Sequence, residues 1–270
     1  MKFATLTVLL LILGWATVGC SDETEPEPQI GLIWADEFEG PAGQLPDSTK
    51  WAFDVGTNWG NLQLEWDTAR PENVSLDGNG NLAITAREEE FAGQPYTSGR
   101  IKTKDLFERT YGRFEARIQL PIGQGIWPAF WMLGADIDEN PWPGCGEIDI
   151  MEYLGHEPRS IHGTIHGPGH YGGSAISAKH TIAQGGYHLG FHEFAVDWDK
   201  DSITWTVDGF QFHQVLRSDL SGPAVWVYDH PFFLLLNVAV GGRWPGSPDE
   251  TTTFPQTMLV DYVRVYGELP

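Results

Sequence analysis

Basic side chains are scarce in this chain: 16 lysines and arginines face 37 aspartates and glutamates over 270 residues, a formal charge of −21. Phosphates and anionic lipid surfaces are bound by cations, so the balance argues against nucleic acid or an acidic membrane as partner and leaves neutral polymers open. Cysteine is scarcer still, with Cys20 and Cys145 alone. If Cys20 is processed near the N-terminus, Cys145 has no mate and no disulfide framework staples the fold. Cys145 then reads as a small buried apolar residue, because no histidine lies near it in sequence to activate a thiol. Helical periodicity is missing too: beyond Ile30 no apolar stripe at three-and-four spacing is sustained over a helix length. No internal repeat appears, which argues against a propeller or a solenoid.

The apolar stretch within residues 1–20, "MKFATLTVLLLILGWATVGC", is short for a membrane span, carries one cation at Lys2 and ends in small residues. It reads as an export signal over 1–19. Its "VGC" ending resembles a lipobox, in which Cys20 would become the lipidated first residue, although Thr17 stands where that motif usually has leucine. Residues 20–29, with "SDETEPEPQ", are acidic and proline-containing and read as an extended tether. One folded domain is expected over 30–268.

What the chain has in quantity is strand pattern. "YGRFEARIQL" (111–120) alternates polar and apolar residues, as a half-buried strand does. "LAITA", "SITWTVDGFQFHQV", "FFLLLNVAV" and "MLVDYVRVY" read as further strands, with Asp208-Gly209 as a hairpin turn of the primed type. Many short strands with 32 glycines and 18 prolines indicate an all-β antiparallel sandwich or barrel, and a curved sheet of that size offers a concave face.

"GIWPAFWML" puts Trp127, Ala129, Trp131 and Leu133 on one strand face, and Phe130 and Met132 on the other. Trp51, Trp59, Trp66, Trp142, Trp198, Trp205, Trp226 and Trp244 add more indole than a core needs. Indoles pack flat on the apolar faces of sugar rings, so the set as a whole suggests carbohydrate.

In "GEIDIMEY" (146–153), Glu147 and Asp149 share a strand face, while Glu152 falls out of phase. A regular strand would bury Glu152 with no cation beside it, which is costly. A β-bulge at Ile150-Met151, with Met151 as the added residue, returns Glu152 to the face of Glu147 and Asp149. The two glutamates are then roughly 13 Å apart at Cα. Their carboxylates can approach to roughly 5 Å, the spacing of a retaining glycosidase. Three carboxyls on one face cannot all stay ionised, and Glu152 is the one expected to hold a proton.

The segment resembles the Glu-x-Asp-x-x-Glu signature of glycoside hydrolase family 16, in the bulged form of its laminarinase-like members. "WADEFEG", "PENV", "YTSGRIKT", "YGRFEARIQLP", "GIWPAFWMLG", "WPGCGEIDIMEYLG", "GTIHG", "FHEFAVDW", "PFFLLLNVAVGGRWPG" and "VDYVRVY" resemble the family in order. The resemblance implies a concanavalin-like β-jelly-roll sandwich with an open cleft, acting on internal β-1,3 bonds of glucans with retention. It implies Glu147 as nucleophile, Glu152 as acid/base and Asp149 as their hydrogen-bonding neighbour. It further implies Trp127, Trp131 and Trp142 at the sugar, Asn61 and Arg100 on the glycone side, and His166 flanking the acid/base. A metal shared by His162 and His166 is discounted, since four residues of strand separate them by roughly 13 Å. No cofactor is needed for the chemistry. A structural calcium is implied at Glu39, Gly80 and Asp261, with Asp261 as a plain strand-end residue the alternative.

The implied partner is a β-glucan polysaccharide, met by a monomer that is secreted or lipid-anchored at a bacterial surface or periplasm. "LQLEW" (62–66) departs from the family pattern, so pure β-1,3 and mixed β-1,3/1,4 substrates both remain open, as does a galactan. A non-catalytic glucan-binding module is the alternative of another class; it would have no need of a bulge that rescues Glu152.

Overall fold

The computed structural model describes residues 30–268. The export signal, Cys20 and the tether lie outside the described residues. Seventeen strands follow in order: β1 (Ile30–Asp36), β2 (Ala52–Phe53), β3 (Glu65–Asp67), β4 (Val74–Leu76), β5 (Leu82–Phe91) and β6 (Gln94–Ser98). Then come β7 (Arg100–Lys102), β8 (Gly112–Gln119), β9 (Ile126–Gly134), β10 (Glu147–Tyr153), β11 (Ser160–His166) and β12 (Ile176–Thr181). The last are β13 (His192–Trp198), β14 (Ser202–Val207), β15 (Phe210–Leu216), β16 (Phe232–Val240) and β17 (Gln256–Glu268). Helix is confined, among the described residues, to the 3₁₀ turns Gly172–Ser174 and Arg217–Asp219.

The strands form two sheets. One runs β15-β14-β13-β8-β17-β5-β6-β3, with β1 added on β17 and β4 on β5; the other runs β12-β11-β10-β9-β16-β7-β2. Every described strand pairing is antiparallel except β3 with β6, which is parallel. Alternation explains the layering. On β8, Phe114, Ala116 and Ile118 are fully buried, while Arg113, Arg117 and Gln119 keep solvent contact. The β14–β15 turn is of the primed type, since Asp208 and Gly209 both have positive φ, at 49° and 75°.

Between the sheets lies one continuous core that includes Phe114, Phe130, Tyr153, Phe194, Trp198, Trp205 and Phe232. Four indoles counted toward a sugar surface belong inside instead: Trp51, Trp198, Trp205 and Trp226 are buried. Sheets packed face to face lie about 10 Å apart, and large rings reach across that space to fill it. A second, small cluster of Leu133, Cys145, Phe233 and Leu235 sits apart from that core, with Trp131 and Ile137 packed against it. Cys145 is therefore the buried apolar residue expected, and burial pushes its thiol up to about 11, away from nucleophilic use.

Candidate active site

β10 lies inside the seven-stranded sheet, between β9 and β11. Its ladder with β11 jumps from Asp149↔Thr164 to Glu152↔His162, so Ile150 and Met151 together oppose Gly163. This is the bulge the phase argument requires. On the other side Met151 pairs with Phe130 and Ile150 has no partner, so the added residue relative to β9 is Ile150, not Met151. The reason is packing: Met151 keeps its place in the ladder, and both side chains are buried in the core. Asp149 is buried, whereas Glu147 and Glu152 on either side of it keep partial exposure.

Each carboxyl meets a different set of donors. His166 is opposite Glu147 on β11, with Nε2 3.2 Å from Asp149 Oδ2 and 3.9 Å from Glu147 Oε1. Asp149 Oδ2 nonetheless lacks a well-aligned hydrogen bond, which makes it the natural acceptor for a proton on a neighbouring carboxyl. Trp127 Nε1 donates to Glu152 Oε1 over 3.2 Å. Burial is the main cause that pushes Glu147 up to about 8 and Asp149 to about 7, and it raises Glu152 well above its ordinary value. The negative charge of Asp149 pushes both glutamates further. The site thus holds shared protons near neutrality, as an acid/base pair needs.

Glu147, Asp149 and His166 also gather ligand atoms within 4.8 Å of one another, a set that could in principle hold a metal. The loop after β11 decides otherwise. His170 is hydrogen-bonded to the Tyr228 hydroxyl at 2.8 Å, which anchors that loop, and the Gly172 backbone N–H donates to His166 Nδ1 at 3.1 Å. A neutral imidazole that accepts at Nδ1 carries its proton on Nε2, facing Asp149. A metal at Nε2 would require a proton on Nδ1, directed at the Gly172 N–H. The cluster is a proton network.

Around it stand aromatic walls. Trp142 (42% exposed) packs edge-on against Tyr171, with ring centroids 5.4 Å apart, and lies 6.0 Å from His166. At the other end of β10, Trp244 (41% exposed) meets Trp127 at 5.5 Å and His162 at 4.9 Å. Across β9, Trp131 donates through Nε1 to Asn237 Oδ1 at 2.8 Å. Arg100 lies over both Trp59 (4.7 Å) and Trp131 (4.8 Å), and its Nε donates to Asp54 over 2.9 Å. Asn61 is exposed, and its carbonyl accepts the Arg243 N–H beside Trp244.

The departing segment has a definite structure. Glu65 (1% exposed) accepts the Val240 N–H, and Asp67 (2% exposed) accepts the Trp59 indole N–H, both at 2.8 Å. Burial raises both carboxyls, Asp67 to about 7. Tyr171 and Asn237, which line these walls, were not expected there from the sequence, and Trp59 and Trp244 were counted only among the indoles as a set. Asn237 had a signal, as the sole polar residue of "FFLLLNVAV".

The expected calcium residues lie elsewhere. Asp261 stands at a register break of β17 and accepts Arg117 Nη1 through Oδ2. The Glu39 carboxylate faces the turn at Gly80, with Oε1 3.7 Å from where a Cβ there would stand. Arg117 already supplies a positive charge to Asp261, and the donors implied for calcium, the Asp261 carboxylate with the Glu39 and Gly80 carbonyls, are hard oxygens of the kind that ion takes.

An open sheet face with buried carboxyls and indole walls defines a two-carboxyl carbohydrate hydrolase. The chain belongs to glycoside hydrolase family 16: the model described as Glycosyl hydrolases family 16 matches residues 61–264. It is 39% identical to the "Beta-glucanase" of Rhodothermus marinus over 271 residues, covering 97% of this chain and 93% of that one. The endo-β-1,3-glucanase of Pyrococcus furiosus superposes with a TM-score of 0.85 at 46% identity, covering 90% and 96% of the two chains. The laminarinase catalytic domain of Thermotoga maritima superposes at 0.84 with 45% identity, covering 89% and 99%.

Proposed function

We propose that this protein is an endo-acting, retaining β-1,3-glucanase of laminarin-type glucans. The observation that carries the reading is the bulge in β10, which leaves Glu147 and Glu152 as the two partly exposed carboxyls flanking buried Asp149. Glu147 attacks the anomeric carbon while Glu152 protonates the departing oxygen; Glu152 then takes a proton from the water that releases the glycosyl-enzyme. Asp149, beside His166 Nε2 at 3.2 Å, accepts the proton that Glu147 gives up as the nucleophile ionises. Trp127, Trp131 and Trp142 stack on sugar, with Asn61 and Arg100 on the glycone side. No cofactor takes part in the chemistry.

Reducing-sugar release should be high from laminarin and lower from lichenan and agarose, with NMR showing the β-anomer first. An α-anomer would remove retention, and preference for lichenan would favour the mixed-linkage alternative. Release from none of these would favour a binding module. Export with acylation at Cys20, and a structural calcium held by Glu39, Gly80 and Asp261, are two further proposals. The intact mass of the mature chain reads the first, and a fall of several degrees in melting temperature with chelator reads the second; an unacylated mass or an unmoved melt removes each.

A further inference from the structure

The bulge is held from behind. Trp205 on β14 belongs to the ten-stranded sheet, yet its indole Nε1 donates to the Asp149 carbonyl at 2.8 Å. That carbonyl belongs to the residue at which both β10 ladders lose register. The indole is fully buried and stacks on His213, with centroids 4.7 Å apart. Gly163, opposite the bulge, lets it come this close: a Cβ there would lie 2.5 Å from Trp205 Cδ1. A buried carbonyl at a broken ladder needs a donor, and here one side chain from the far sheet supplies it.

We infer that Trp205 is a positioning residue for Glu152: its indole N–H pins the Asp149 carbonyl and so fixes the turn of chain that brings Glu152 to the face of Glu147. Two residues, Ile150 and Met151, separate Asp149 from Glu152, and both are wedged in the core. The direction in which Glu152 emerges therefore depends on where the 149–150 peptide is held. Glu147 precedes the break, and its ladder to Leu133 and His166 is regular. Losing the indole N–H should disturb the acid more than the nucleophile.

The inference rests on the proposed roles of the two glutamates, and the experiment separates the two. The measurement is kcat/KM on laminarin, whose leaving sugar needs protonation, and on a 2,4-dinitrophenyl β-laminaribioside, whose leaving group does not. Trp205→Phe should lose about 30-fold on laminarin, within the range that a small misplacement costs, and less than about 3-fold on the activated glycoside. Equal losses on both substrates, or none, would overturn the positioning role. Failure of wild type on both would instead sink the glucanase reading. Because Phe leaves a gap, 3-benzothienylalanine at position 205 keeps the ring shape and removes only the N–H. It should show the same selective loss, and unchanged kinetics would overturn the inference.

Discussion

Glu147→Ala should cut turnover of laminarin by at least ~10⁴-fold, the scale on which enzymes lose rate when their nucleophile is removed. Azide should restore part of it on an activated aryl glycoside and yield the α-glycosyl azide. With the carboxylate gone, the small anion attacks from the side Glu147 occupied, and a single displacement inverts the anomeric centre. Activity above a tenth of wild type, or a β-azide, would remove Glu147 from the nucleophile role. Stability supplies an independent reading of the same variant. The folded-state pKa of Glu147 is raised to about 8 by burial. The folded protein therefore holds this proton where the unfolded chain has released it, and the stability it contributes is full below the unfolded pKa near ~4.3 and lost as pH rises through 8. Glu147→Ala should accordingly melt higher than wild type at pH 8, with the difference closing toward pH 4.

Glu152→Ala should lose ~10²–10⁴-fold on laminarin, the usual weight of a positioned acid or base. The loss should shrink on substrates with good leaving groups, and azide should now give the β-azide by intercepting the glycosyl-enzyme. The pH profile carries the sign. A general acid works while protonated, and burial raises Glu152 well above its ordinary value, so the wild-type rate falls as pH rises through that raised value. In Glu152→Ala that alkaline limb should disappear, while the acidic limb, set by ionisation of the nucleophile, remains. An unchanged alkaline limb would assign it to another group.

Much of this was legible in the chain. Period-two alternation fixed the strands of β8 and β9, and the phase error of Glu152 located the bulge, because a buried, unpaired carboxylate is too costly to be the alternative. The sequence could not say which residue was extra. Ile150 and Met151 are both apolar and both buried, and only the register against β9 separates them. Nor could it sort the indoles. Trp205 and Trp131 both lie on alternating strands, and one ends in the core and the other on the cleft because of which sheet face each strand turns outward. The Gly172 N–H reaches back across a six-residue loop and the Trp205 donor comes from another strand 56 residues on, and neither residue type advertises its role. The expected antiparallel pattern held everywhere except between β3 and β6.

The place of β10 in its sheet also acts as a ruler. Two strands, β11 and β12, lie on one side of it, and four, β9, β16, β7 and β2, on the other. A glucosyl unit is about as long as the ~4.8 Å spacing between neighbouring strands. A chain laid across the strands therefore finds floor for about two units beyond the scissile bond on the His162 side, and for more on the Arg100 side. With floor extending both ways from β10, the cleft needs no chain end to begin.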